Sequence, residues 1–156
     1  MNHSRRRALK AGGGAGVLAL LFAAGIVRPG ETLAQEWNQA AFSMKTMAEA
    51  LRALGAQSPA ASDGILIKAP EIAENGAVVP IAVESRLAGT ESITLLIEKN
   101  PQPLAAGFRI PAGTEANIST RVKMGESSDV FALVRADGKF YIAKKEIKIT
   151  LGGCGG

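Results

Sequence analysis

Ala116-Asn117-Ile118-Ser119-Thr120-Arg121-Val122-Lys123-Met124 places apolar or β-branched residues at even positions and polar ones at odd positions. Successive side chains of a strand point to opposite faces, so this period of two predicts a half-buried β-strand. The same pattern recurs on both sides. Towards the C-terminus, residues 129–136 and 139–143 flank Asp137-Gly138, a pair that tolerates positive φ and so suits a hairpin turn. Ile147, Ile149 and Leu151 then alternate with Glu146, Lys148 and Thr150 as a last strand. Towards the N-terminus, 65–69, 77–85 and 92–98 are β-rich runs broken by Pro, Gly and Asn. Pro80 marks the second of these as an edge strand or a bulge. Asn100-Pro101-Gln102-Pro103 breaks the chain, and 105–110 forms another short strand. About seven short strands within residues 63–151 predict an immunoglobulin-like β-sandwich.

Some of these strands are apolar on both faces. Phe131 and Leu133 oppose Val130, Ala132 and Val134, and Leu96 sits among Ile93, Leu95 and Ile97. In a small sandwich one face of each sheet should meet water, so the extra apolar face needs a cover. Two covers are open: a partner protein, or an N-terminal helix. Residues 35–58 form a separate N-terminal segment that supplies the second. Trp37, Ala40, Ala41, Met44, Met47, Ala48, Leu51 and Leu54 recur at helical spacing over residues 36–54, and Gly55 supplies a stop.

The first 34 residues follow different rules. Ser4-Arg5-Arg6-Arg7-Ala8-Leu9-Lys10 looks like a twin-arginine export motif built on Arg5 and Arg6, with Ala8 where that motif usually has Phe. An apolar, Gly-rich stretch over 11–27 and Thr32-Leu33-Ala34 complete a signal peptide, with cleavage between Ala34 and Gln35. The alternative is a retained anchor, for which 17 Gly-rich residues are marginal against a bilayer core of about 30 Å. Cleavage leaves 122 of 156 residues, taking five of 18 basic residues and one of 14 acidic ones, so 13 of each remain. The net charge of +4 falls to zero, and with it the case for a nucleic-acid partner. His3, the single histidine, is also lost. A mature chain without His, and with one Cys, holds no Ser-His-Asp or Cys-His unit and no ordinary His/Cys metal site. Carboxylate-only sites stay open. No Gly-rich loop stands between a strand and a helix to cradle a phosphate.

The chain ends Leu151-Gly152-Gly153-Cys154-Gly155-Gly156. Gly152, Gly153, Gly155 and Gly156 make residues 152–156 a flexible arm, because Gly loses the most chain entropy on ordering. Five residues reach at most about 17 Å. The arm is thin enough for its sulfur to enter a narrow active site. A free thiol titrates near about 8.5, and neither His nor Arg nor a helix start neighbours Cys154 to lower that value. Cys154 is thus accessible but not self-activated, which suits a handle worked on by other proteins. An incidental thiol, a mixed disulfide with a partner's Cys and a merely disordered tail are the plain alternatives.

The segment 147–156 resembles the C-terminus of the Y subunit of the Sox sulfur-oxidation carrier complex, SoxYZ. So do Ser119-Thr120-Arg121-Val122-Lys123-Met124 and Ala136-Asp137-Gly138-Lys139-Phe140-Tyr141, and the leader, helix and β-rich body extend the likeness over essentially the whole chain. The resemblance implies a non-catalytic periplasmic subunit, exported folded by the twin-arginine route as a heterodimer with a Z subunit. It implies that the cysteine at the position of Cys154 carries sulfur intermediates covalently, with no other cofactor. A haem-containing enzyme would couple thiosulfate to it, a hydrolase would release sulfate, and in some organisms a sulfane dehydrogenase would oxidise the remaining sulfur. Three other readings compete. A redox enzyme using Cys154 would need a resolving Cys or a thiol-lowering charge. An exported interaction module would hold a partner through a mixed disulfide. A thiocarboxylate carrier would make Cys154 dispensable.

Overall fold

The computed structural model describes residues 39–150. Helical spacing at the N-terminus becomes two short helices, α1 (Gln39–Ser43) and α2 (Met47–Ala53), where the apolar periodicity predicts one. The break has a local cause. Thr46 is extended, at φ −125° and ψ 151°, and its hydroxyl accepts a hydrogen bond from the Glu49 N–H at 3.2 Å, so it caps a new helix. Gly55 ends that helix as expected. At φ +75° it donates to the Arg52 carbonyl, and Ala56 donates to that of Leu51, the paired bonds of a Schellman stop.

Nine strands follow: β1 (Ala60–Ala61), β2 (Ile65–Lys68), β3 (Ile72–Ala73), β4 (Val79–Ser85), β5 (Thr90–Ile97), β6 (Leu104–Arg109), β7 (Asn117–Val122), β8 (Ser128–Ala136) and β9 (Lys139–Ile149). Seven of them have four or more residues, and they form the sandwich. One sheet runs β2-β4-β7, and the other runs β1-β9-β8-β5-β6 with β3 also on β9. Asp137 at φ 48° and Gly138 at φ 72° make the tight β8–β9 turn, as their residue types predict. The two strands expected over 139–143 and 147–151 are one continuous strand. Lys144, Lys145 and Glu146, which look like a break, stay in register opposite Phe131, Val130 and Asp129. Lys144 reaches the Asp129 carboxylate at 2.7 Å there.

Pro80 is a second correction, since β4 is the middle strand of its sheet and not an edge. Ser85 N–H bonds the Ala116 carbonyl at 2.8 Å. Alternation from that pair directs Val79, Ile81 and Val83 towards β7, and Pro80 towards β2. The β2 pairing has already ended at Lys68↔Ala82, so no partner strand requires the N–H that Pro80 lacks.

Two apolar layers result. Between the sheets, Val79, Ile81, Val83, Ile93, Leu95, Ile97, Val130, Val134 and Ile147 are at most 1 % exposed. On the outer face of the larger sheet, Leu96, Leu104 and Leu133 pack with Ala41, Ala50 and Ala56, with Phe131 and Ile142 alongside. The second apolar face seen in the sequence is therefore covered by the chain's own helices.

Candidate functional site: the root of the C-terminal arm

The residues chosen from sequence all lie outside the described residues: Cys154, Gly152, Gly153, Gly155 and Gly156 at one end, Arg5, Arg6, Ala34 and Gln35 at the other. What the structure brings together is the point from which the last six residues continue. Alternation in β9 buries Ile147 completely, and Ile149 remains partly buried against the inter-sheet core. Beside them β3 runs parallel to β9, with Ile72 opposite Lys148 and Ala73 opposite Ile149. Lys148 N–H donates to Glu71 C=O at 2.9 Å, and Thr150 N–H donates to Ala73 C=O at 3.1 Å.

From the other side, the Ser127 hydroxyl accepts from Ile149 N–H at 2.8 Å and donates to the Ile149 carbonyl at 3.5 Å. Gly76 closes the arrangement. Met124 N–H bonds its carbonyl at 2.7 Å, and a Cβ on Gly76 would stand 2.5 Å from the Met124 oxygen and 3.2 Å from Ile149 Cγ2. Only a glycine lets these backbones approach so closely. The chain is thus held on both sides up to Thr150, six residues before its end and four before Cys154.

Sequence reasoning did not find Ser127, Ala73 or Gly76. Residues 70–76 have no periodicity, and a hydroxyl that bonds a strand 22 positions later leaves no local signal. Ile72 and Val78, at 59 % and 50 % exposure, are the large apolar residues most open to solvent among those described; Ile72 pairs with β9, and Val78 follows Gly76. Glu71, Ile72, Lys145, Glu146 and Lys148 line an open depression between β3 and β9.

Chemistry among the described residues is sparse. No three acidic, His or Cys side chains gather as metal ligands. Hydrogen bonding from Lys68 and then Arg86 holds the Glu84 carboxyl below its ordinary range, and the Asp129 carboxylate raises the Lys144 ammonium above its own. Both are exposed ion pairs that staple neighbouring strands, and neither is a group poised for acid–base work.

Fold and root together define a class: an immunoglobulin-like sandwich that covers one face with its own helices and fixes its terminal strand on both sides. Within that class the comparisons are specific. The family model "Sulfur oxidation protein SoxY" matches residues 50–154, a stretch that begins in α2 and includes Cys154. The sulfur carrier protein SoxY from Chlorobium limicola f. thiosulfatophilum has a similar structure at 35 % identity and a TM-score of 0.62, covering 72 % of this chain and 99 % of that one. A superoxide reductase (neelaredoxin) from Ignicoccus hospitalis is far more distant, at 19 % identity and a TM-score of 0.48 over 55 % of this chain and 79 % of its own. Curated proteins yield no match. The chain belongs to the SoxY family of sulfur oxidation proteins.

Proposed function

We propose that this chain is a sulfur carrier of thiosulfate oxidation that holds its cargo covalently on Cys154 and presents it to partner enzymes in the periplasm. The family match extending through Cys154 carries this reading, and the fixed root at Thr150 supports it. Cargo on Cys154, four residues beyond the fixed Thr150, has a reach of about 14 Å from that root, enough to enter an enzyme while the sandwich stays outside.

The chemistry requires little of the carrier. Coupling the thiol to thiosulfate forms an S–S bond and releases one proton and two electrons, which a haem-containing partner accepts. Hydrolysis of the outer S–S bond then adds water, frees sulfate with two protons and leaves a persulfide anion on Cys154. A sulfane dehydrogenase, where one exists, would oxidise that sulfur. Each step needs an acid, a base or an oxidant, and the mature chain has no His and no second Cys to supply one. Twin-arginine export of a folded dimer with a Z subunit would account for Arg5 and Arg6, with cleavage between Ala34 and Gln35.

Reconstitution with the partner enzymes tests the assignment. Cys154→Ser should fold and bind the Z subunit like the wild type while thiosulfate oxidation stops. Turnover retained by that variant would remove Cys154 from the mechanism. Release by reductant of a second polypeptide, in place of a small sulfur species, would favour the exported module that holds a partner through a mixed disulfide.

A further inference from the structure

Residues 74–78 carry the chain out of β3 and into β4, and the turn is built on Asn75-Gly76. The Asn75 side-chain carbonyl accepts from Ala77 N–H at 2.9 Å, and its main-chain carbonyl accepts from Val78 N–H at 3.3 Å. Asn75 is exposed, so its carboxamide is open to water. The two backbone groups of Gly76 are treated differently. Its carbonyl is held by Met124 N–H at 2.7 Å, whereas its N–H has no acceptor among the described residues.

This arrangement sets an electrophile beside a nucleophile. The hydrogen bond to Asn75 Oδ1 draws electron density away from Cγ, and the neighbouring Gly76 nitrogen has neither a hydrogen bond to break nor a Cβ to shield it. A shielding residue cannot stand at 76, because its Cβ would lie 2.5 Å from the Met124 oxygen. The packing that fixes the arm root therefore keeps the least protective residue after Asn75. The other asparagines among the described residues lack this combination. Asn100 precedes Pro101, which has no N–H, and Asn117 precedes β-branched Ile118 within β7.

We propose that Asn75 is a site of spontaneous modification, converting through a cyclic imide to isoaspartate and aspartate. The Gly76 nitrogen attacks Asn75 Cγ, its proton leaves with the side-chain amide as ammonia, and a five-membered ring closes. Water then opens the ring. Attack at the side-chain carbonyl gives aspartate, and attack at the main-chain carbonyl gives isoaspartate. In isoaspartate the backbone runs through the former side chain, so the chain gains a methylene and Ala77 N–H loses its Oδ1 partner. The insertion falls between Ala73, whose carbonyl holds Thr150 N–H at 3.1 Å, and Gly76, whose carbonyl holds Met124 N–H. It therefore loosens the β3 side of the arm root. The proposal is independent of the carrier reading, because it involves neither Cys154 nor its cargo.

Peptide mapping by mass spectrometry of the full chain, incubated folded at neutral and at mildly alkaline pH, reads the conversion, and labelling by an isoaspartyl methyltransferase reads the isoaspartate share. The peptide holding Asn75 should gain the mass of an amide-to-acid exchange. It should do so faster at the higher pH, because the attacking nitrogen must first lose its proton, while Asn100 and Asn117 keep their amides. Asn75→Gln, whose ring would be six-membered and slow to close, should stay unconverted. The converted chain carries one more negative charge, so ion exchange isolates it. Its amide exchange should be about fivefold faster at Thr150, as the loss of one hydrogen bond would make it, and unchanged at Leu95. An Asn75 that keeps its amide in the folded chain at both pH values, or converts no faster than Asn117, overturns the proposal. Unchanged exchange at Thr150 in the isoaspartate form overturns its link to the arm root.

Discussion

The inter-sheet core and the last ten residues divide the molecule's work. Val79, Ile81, Val83, Ile93, Leu95 and Ile97 are almost wholly buried and hold no reactive atom. Residues 147–156 begin in that core at Ile147 and include, at Cys154, the one thiol the chain has. The buried core and the thiol proposed to carry sulfur therefore lie in different residues, and the hydrogen bonds of Ser127 and Ala73 to the end of β9 stand between them. A carrier that separates the two lets its cargo change chemically without disturbing the fold.

Substitutions can break that division, and the largest effect on stability should come from the core. Leu95→Ala removes a fully buried side chain and should cost about 2–5 kcal/mol in urea denaturation. Cys154→Ser should move the same curve not at all, and a stability change there would blur the comparison. Gly76→Ala comes next, at about 1–3 kcal/mol, because its Cβ would overlap the Met124 carbonyl, a backbone atom that cannot rotate away. Ser127→Ala should cost about 1 kcal/mol by leaving the Ile149 N–H without its acceptor. Its signature is local: amide exchange should accelerate at Ile149 and remain unchanged at Leu95. Uniform acceleration would show that the root has no separate anchoring.

The smallest expected effect is electrostatic. Lys68 and Arg86 depress the Glu84 carboxyl, so its folded value lies below the unfolded one. Such a group stabilises the fold above its unfolded value, near 4.5, and the contribution disappears as pH falls through the folded value. Glu84→Gln should therefore lower the denaturation midpoint slightly at neutral pH and not at all in strong acid. Because the carboxylate is exposed, added salt should erase the difference. A shift that persists in acid would point to packing.

Much of the sandwich was legible because its strands carry their own period. Residues 116–124 are half-buried with even positions inward, and Asp137-Gly138 turns as its residue types require. The covered outer face was legible as a fact but not in its cause, since Leu96 and Leu133 look the same under a helix as under a partner. The break between α1 and α2 had a signal in Thr46-Met47-Ala48-Glu49, a capping pattern that the apolar periodicity outweighed. β1 and β3 had none. Two residues are too short for a period, and both strands exist only because β9 offers them a parallel edge. Cys154 lies outside the described residues, and the sequence singles it out as the lone Cys, set among glycines.

The central claim, that cargo is carried on Cys154 alone, is tested most directly by intact mass of the protein as purified, after thiosulfate with its partner enzymes, and after reductant. Small sulfur-containing adducts should appear on turnover, map to the C-terminal peptide and vanish on reduction. An unmodified thiol under turnover, or an adduct on any other residue, would contradict it.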